Sequence, residues 1–177
     1  MKIRRAVIED VDGIVHVHIH SLKSSHNAIL PDEFLDGLDN DWSEPRFTQT
    51  LKQPLNDSLI YVAEDDYGAI VGFIWGGRER KGNDTYKGEI YAIYILQAYQ
   101  RKGLGRRLTL ELANHLQDLG IHSLLVWVIA NNYPSRSFYE GIGGRKVSEG
   151  TFEMMGNIYR DVAYGWTDIS QTLSEAP

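Results

Sequence analysis

Apolar and polar residues follow helical and strand periods in turn along the chain, and their order predicts a fold that mixes both elements. Residues 2–7 form a short β-rich run, and apolar positions within residues 10–25 recur every three or four residues, as on one face of a helix that Asp10 is expected to cap. Proline and two acids at residues 31–33 favour a second helix start, because proline fits a first helical turn and acids complement its positive end. Residues 44–51 predict a further helical segment.

The middle of the chain predicts a hairpin followed by a buried strand. Residues 58–64 and 69–77 are β-rich, and the Asp-Asp-Tyr-Gly sequence between them fits a tight turn. A polar loop is expected over residues 78–87. Residues 89–96 are apolar on both alternating faces, which is typical of a strand inside a sheet.

A strand, a helix and another strand then follow in an order that indicates a parallel crossover. One face of the helix carries leucines at positions 104, 108, 112, 116 and 119, and Gly120 is placed to end it. The continuously apolar residues 123–130 predict the next strand, which would lie parallel to the strand at residues 89–96. A short helix is expected at residues 135–141, and strands are expected at residues 145–148 and 157–166.

Composition fits one folded domain of the α+β class. The chain has 177 residues, of which 42% are hydrophobic and 24% are charged, and a chain of this length buries roughly two thirds of its unfolded surface. We expect a single domain over residues 1–168 and a polar tail over residues 169–177.

Charge and cysteine content exclude several classes of function. Eighteen Lys and Arg against 24 Asp and Glu give a net charge of -6, which disfavours nucleic acid and allows a cationic amine partner. The chain has no cysteine, so thiolate metal sites and a cysteine nucleophile are excluded. No apolar run reaches the roughly 20 residues of a membrane span, and no export signal is recognisable. A cytoplasmic protein with no membrane partner is expected.

The most informative segment joins a predicted buried strand to the amphipathic helix. Within residues 99–107 it combines Gly103 and Gly105 with four cationic side chains, those of Arg101, Lys102, Arg106 and Arg107. Unpaired N–H groups and the positive end of the helix dipole meet at such a point, and glycine lets backbone approach an anion. The segment predicts a pyrophosphate site, although a solvated basic first turn explains the same residues. It lacks the Gly-Lys-Ser/Thr of the NTPase phosphate loop and the third glycine of the dinucleotide fingerprint.

The same segment resembles the Gln/Arg-x-x-Gly-x-Gly/Ala signature of the GNAT superfamily of acetyl-CoA-dependent N-acetyltransferases. Gln100, Gly103 and Gly105 hold its three defining positions, and Glu89 lies eleven residues before Gln100, where the family often has a glutamate. Downstream positions of the family pattern are held by Asn132, Ser135, Phe138 and Tyr139. The resemblance covers about residues 88–147 and departs from the pattern at Ser135, where alanine is usual.

This resemblance implies a GNAT-like fold and acetyl-CoA as cosubstrate, with no metal. The expected sheet is mixed and mostly antiparallel, has about six or seven strands flanked by about four helices, and splays between strands 4 and 5 to admit the pantetheine arm. Backbone donors of strand 4 would stabilise the charge that develops on the thioester oxygen. The implied cofactor-binding residues are Ile93, Tyr94, Ile95, Gln100, Arg101, Lys102, Gly103, Leu104, Gly105, Arg106 and Asn132.

Two side chains are implied for proton transfer. Glu89 is expected to accept the ammonium proton, with apolar neighbours that favour its neutral form; the alternative is a carboxylate at an exposed strand end. Tyr139 is expected to protonate the departing thiolate; the alternative is an aromatic packed beside Phe138. Asn132 is expected to hydrogen-bond the pantetheine amides, or it is simply a turn residue.

Other features leave alternatives open. His16 and His20 have the i, i+4 spacing of a metal-binding face without a third ligand, so a surface location or a role in the acceptor site is preferred. An acidic stretch could attract a cationic acceptor or form a solvated loop, and it comprises Asp36, Asp39, Asp41 and Glu44. Aromatic and histidine residues that could line an acceptor groove, or only pack, are His26, Trp42, Tyr67, Trp75, Tyr86 and Tyr91.

The expected function is transfer of an acetyl group to a primary amine by direct attack in a ternary complex, because no cysteine can form an acyl-enzyme. A small-molecule amine is the preferred acceptor, and a protein N-terminus or lysine is the alternative. A non-catalytic acyl-CoA-binding sensor or subunit is a second class, which predicts binding without turnover. Residues 157–166, taken as an edge strand, suggest a homodimer across a two-fold axis.

Overall fold

The computed structural model describes residues 1–27, 29–55 and 57–170, in which strands and helices alternate. The strands are β1 (Lys2–Arg5), β2 (Leu59–Glu64), β3 (Ile70–Arg78), β4 (Gly88–Ile95), β5 (Leu124–Ile129), β6 (Arg145–Met154) and β7 (Asn157–Trp166). The helices are α1 (Val11–His26), α2 (Asp32–Asp36), α3 (Asn40–Lys52), α4 (Leu104–Asp118) and α5 (Tyr133–Gly141). Short 3-10 turns lie at Ile8–Asp10 and Gln97–Tyr99.

The seven strands form one mixed sheet in the order β1-β2-β3-β4-β5-β7-β6. β4 and β5 run parallel, with Glu89 opposite Leu125, whereas β1–β2, β2–β3, β5–β7 and β6–β7 are antiparallel. The parallel crossover through α4 is confirmed. The expectation that β7 is an edge strand is wrong, because its residues 161–165 pair with β5 on one side and with β6 on the other. Those residues have no free edge for pairing across a two-fold axis.

By its contacts the chain divides into two compact units, and the first comprises residues 1–77 and 92–112. In this unit α1 packs against α3 and lies close to β3: a Cβ on Gly13 would be 2.8 Å from Ile70 Cγ1. Its core includes the fully buried Ile14, Phe47 and Phe73. Glycine at position 13 is therefore required by the close approach of helix and strand.

One helix cap and one helix start in the first unit differ from the sequence prediction. The Asp10 carboxylate does not cap α1; it accepts hydrogen bonds from the Val7 N–H (2.8 Å) and from both terminal nitrogens of Arg4 (2.6 and 2.8 Å). Helix α3 begins at Asn40 rather than at residue 44, because the Asp39 side chain accepts the N–H of Trp42 at 3.0 Å. A side-chain cap therefore decided the start of α3.

The second unit comprises residues 78–91 and 113 onward. Its core includes the fully buried Tyr164 and Trp166, and Trp166 donates its indole N–H to the carbonyl of Ile142 at 3.0 Å. β6 extends to Met154, well past the predicted residue 148, because β7 pairs with it as far as the turn. Ile169, which the sequence assigned to the tail, is 1% exposed and donates its N–H to His122 O at 2.9 Å. Residues 171–177 of that predicted tail lie outside the described residues.

Candidate active site

The loop between β4 and α4, in the first unit, is held by its own side chains. Gln100 donates its side-chain N–H to Ile95 O at 2.9 Å, and so braces the end of β4. Lys102 donates its ammonium to Ala98 O at 2.9 Å and lies 5.5 Å from the centre of the Tyr99 ring. Both side chains thus fix the loop in which the sequence predicted anion binding.

The backbone at the start of α4 is open and favours an anion. Arg101 and Gly103 have left-handed φ angles of 58° and 75°, and a Cβ on Gly103 would meet no atom within 4 Å. Helix α4 begins at Leu104, as predicted, and its first turn contains no acidic residue. Leu104 is buried, so only its backbone faces the loop. The first N–H groups of a helix have no partners within it, so this end can bind a phosphate.

The second half of β4 also lies in the first unit and carries Ile93, Tyr94 and Ile95. The Tyr94 ring packs 5.1 Å from His18 and 5.8 Å from Phe73, and burial raises the pKa of Tyr94 to about 12. Successive strand residues point to opposite faces, so Ile93 and Ile95 face away from this aromatic cluster. The Tyr94 hydroxyl therefore stays protonated at neutral pH.

His18, which packs against Tyr94, forms a buried pair with Ser43 that the sequence analysis did not predict. His18 Nδ1 and Ser43 Oγ are 2.6 Å apart, and the side chain of Trp42 stacks on the His18 ring at 5.5 Å. Burial, with smaller contributions from the charges of Arg46 and His26, lowers the pKa of His18 to about 4. One signal was available: His18 lies four residues from Ile14 and four from Leu22, both of which the helical period buries.

His16 and His20, on the exposed side of α1, have rings 4.2 Å apart. With Asp12, Asp39 and Asp41 they line a cavity of about 720 Å³ in the first unit. Burial and the charge of His20 lower the pKa of His16. In the part of the chain that the structure describes, no group of three or more His, Asp or Glu side chains has the arrangement to hold a metal ion.

Glu89 belongs to the second unit and is only 2% exposed. Arg80 binds it through three hydrogen bonds: Nη2 donates to Oε1 at 2.6 Å, and Nε and the backbone N–H donate to Oε2 at 3.0 and 3.2 Å. The Arg80 guanidinium also lies 4.1 Å from the centre of the Tyr91 ring, and its bond to Glu89 raises the pKa of Arg80. The expected surroundings were an apolar site or an exposed strand end, and the structure has a buried ion pair instead.

Asn132 directly precedes α5 and Tyr139 lies within it, also in the second unit. Asn132 is the N-cap and accepts the Ser135 N–H at 3.2 Å. Tyr139 is 5% exposed, and its ring packs against Phe138 (5.2 Å), Tyr164 (6.1 Å) and Trp166 (6.3 Å). The N-cap and this packing fix the position of α5, and so the direction in which Tyr139 can point.

Comparisons with known proteins identify the family. The acetyltransferase (GNAT) family profile matches residues 23–143. An uncharacterized N-acetyltransferase, YuaI of Bacillus subtilis, is 36% identical over 95% of this chain and 94% of its own length. A mycothiol acetyltransferase of Segniliparus rotundus is 33% identical over 58% of this chain, a match that spans 39% of that protein. The PaiA N-acetyltransferase of Thermoplasma acidophilum, solved in complex with coenzyme A, shares the fold with a TM-score of 0.72 and 22% identity, over 91% of this chain and 96% of that one. The chain therefore belongs to the acetyltransferase (GNAT) family and is an N-acetyltransferase.

Proposed function

We propose that the chain transfers the acetyl group of acetyl-CoA to the primary amine of a small molecule, by direct attack in a ternary complex. The observation that carries the proposal is the start of α4, where open backbone at Gly103 precedes a first turn without acidic residues. A structural neighbour with bound coenzyme A supports the choice of cosubstrate. A single domain over residues 1–168, a cytoplasmic location and a homodimer stay predictions, and light scattering at micromolar concentration tests the last.

Acetyl-CoA is proposed to bind mainly through backbone. N–H groups of Gly103, Leu104 and Gly105 would take the pyrophosphate, and the side chains of Arg101, Lys102 and Arg106 would add positive charge. Gln100 would contribute indirectly, by fixing the loop through Ile95 O. On β4, N–H groups of Ile93 and Ile95, on either side of Tyr94, would bind the pantetheine arm and the thioester oxygen. Asn132 would hydrogen-bond the pantetheine amides.

Proton transfer is proposed to use Glu89 and Tyr139. The amine nitrogen attacks the thioester carbon, the carbon–sulfur bond breaks, and the CoA thiolate leaves. Glu89 takes the ammonium proton, directly or through water, and Tyr139 protonates the thiolate. Because Arg80 donates to both carboxylate oxygens of Glu89, this base would accept its proton beside a guanidinium.

Calorimetric titration with acetyl-CoA, followed by a free-thiol release assay across a panel of amines, tests this function. Binding of acetyl-CoA with amine-dependent thiol release is the expected result. The panel includes a peptide with a free N-terminus and a peptide with an internal lysine, and preference for either would overturn the small-molecule acceptor. Absence of acetyl-CoA binding would overturn the assignment of the loop at residues 100–105.

A further inference from the structure

The loop over residues 79–87 of the second unit is held by several hydrogen bonds and places the ammonium group of Lys81 over a residue of the sheet. The Glu79 carboxylate accepts the N–H groups of Lys81 (3.0 Å) and Asn83 (2.7 Å), and the Glu79 N–H donates to Lys87 O at 2.8 Å. The Lys81 ammonium lies 5.1 Å from the centre of the Trp127 ring. A cation at this distance from an indole face is attracted by the ring's electron density.

The carboxylate of Asp161 lies on the same face of the sheet as Trp127, and one of its oxygens lacks a partner from another described residue. Asp161 pairs with Ile129 of β5 and with Gly150 of β6, so by strand alternation its side chain shares a face with Trp127. Its Oδ1 is shielded from solvent and accepts no hydrogen bond from any other residue that the structure describes. Burial raises the pKa of Asp161, and the charge of Lys81 together with a hydrogen bond from the backbone N–H of Asp161 itself offsets this only in part. The negative charge of Asp161 is therefore incompletely balanced by the protein.

Glycine at position 150 keeps the space beside Asp161 free. A Cβ there would lie 2.7 Å from Asp161 Oδ1 and 3.3 Å from Cζ3 of Trp127. Any larger residue would push the carboxylate and the indole apart. The carboxylate of Asp161 and the ring of Trp127 thus lie next to the open space that glycine leaves at position 150. Among the described residues, Lys81 is the only cation that lies over the indole ring.

We propose that Trp127, Asp161 and Gly150 form a binding site for a second, non-reacting ammonium group of the amine acceptor, and that Lys81 occupies this site when the acceptor is absent. An ammonium group matches the chemistry of the site, since it is attracted both by an indole face and by a carboxylate. The inference rests on the proposed function and narrows its acceptor to diamines. Lys81 would be displaced on binding, because its side chain is exposed and only its backbone is held.

Calorimetric titration of the full chain, saturated with coenzyme A, with 1,4-diaminobutane and 1-aminobutane tests this site. The diamine should bind at least tenfold more tightly than the monoamine. Asp161→Asn should remove that difference, and Gly150→Ala should reduce it without any change of charge. Asp84→Asn is the matched control, because it removes an exposed carboxylate from the loop that carries Lys81. It should change the affinity for neither the diamine nor the monoamine.

Lys81→Met tests whether Lys81 only occupies the site when the acceptor is absent or itself contributes to diamine binding. If Lys81 only occupies the site, its removal should strengthen diamine binding about threefold or more. Weaker diamine binding by Lys81→Met, equal affinity of Asp161→Asn and the unaltered chain, or no preference for the diamine would each overturn the proposal. All three outcomes leave acetyl-CoA binding and thiol release with monoamines intact, whereas loss of those two overturns the proposed function itself.

Discussion

The chemistry of Glu89 depends on a neighbour that only the folded chain supplies. Arg80 lies nine residues before it in the sequence and is brought back onto it by the turn of the intervening loop. A buried carboxylate is stable in its charged form only when it is paired and hydrogen-bonded, and the Arg80 fork provides both. A residue type and its spacing predicted the position of Glu89, but not the ion pair.

Tyr139→Phe should lower turnover by roughly a hundredfold or more, because the substitution removes the hydroxyl that would protonate the thiolate. Affinity for acetyl-CoA should change little, because the ring packing is preserved. Steady-state thiol release and calorimetry measure the two quantities. Tyr133→Phe, an exposed tyrosine at the start of the same helix, is the control. Equal losses of turnover and of affinity would mean that Tyr139 packs rather than donates.

Gly103→Val should weaken acetyl-CoA binding at least tenfold, about 1.4 kcal/mol, because the branched side chain fills the open space beside the loop backbone. Gly82→Val is a close control, since Gly82 also has a left-handed φ of 77° and no atom within 4 Å of its Cβ position. Both variants should lose similar stability in urea unfolding. Only Gly103→Val should lose affinity for the cofactor, and an unchanged dissociation constant would contradict the loop assignment.

At the scale of elements, apolar periods predicted where helices and strands lie, while side-chain caps and strand pairing decided their ends. Residue 104 was predicted as the start of α4 from its leucines, and this is confirmed, with Leu108, Leu112 and Leu116 fully buried. Leu119, assigned to the same face, lies beyond the helix and is 37% exposed. β6 was predicted too short, since its outer residues are polar and only pairing with β7 holds them extended.

Packing of α1 on α3 should make stability depend on pH through His18. Its pKa is about 4 in the folded chain and about 6.5 when unfolded, so the unfolded state binds its proton first as pH falls. The free energy of unfolding should therefore decrease between about pH 7 and pH 4, by about 3 kcal/mol from this group. Burial also lowers the pKa of His26, which acts in the same direction.

Urea unfolding at pH 7 and pH 4.5 measures this dependence. His18→Gln should flatten it, at a cost of about 1–2 kcal/mol at pH 7 from lost packing and the lost bond to Ser43. His20→Gln replaces an exposed histidine of the same helix and serves as the control. If both variants keep the slope of the unaltered chain, His18 is not the group responsible.

For the molecule as a whole, the order of strands in the sheet decides which surfaces remain available. The last long strand in the sequence is not the last in the sheet: β7 lies between β5 and β6. Sequence order places it at the end, whereas the fold inserts it where its buried residues 162–165 pair on both sides. Within the described residues, no helix is long and apolar enough to cross a bilayer.

Ile169 marks how far the folded chain extends. Ile169→Ala should cost about 2–4 kcal/mol, because the side chain is 1% exposed and its removal leaves a cavity. Ile158→Ala, at a position 77% exposed, should change stability by less than about 0.5 kcal/mol. Thermal and urea unfolding compare the two variants. Equal stabilities would place Ile169 in the tail, as the sequence suggested.

The sequence by itself determined the α+β order of elements, the buried strand and amphipathic helix on either side of residues 99–103, and the family signature at Gln100, Gly103 and Gly105. These are local properties, since periodicity, turn residues and short motifs depend on neighbours within a few positions. Only the tertiary structure decided the pairing of Arg80 with Glu89, the contact of His18 with Ser43, the interior place of β7 and the proximity of Lys81, Trp127 and Asp161. Each of these features depends on the course of a loop or on the order of strands in the sheet. The spacing of apolar residues along the chain contains neither kind of information.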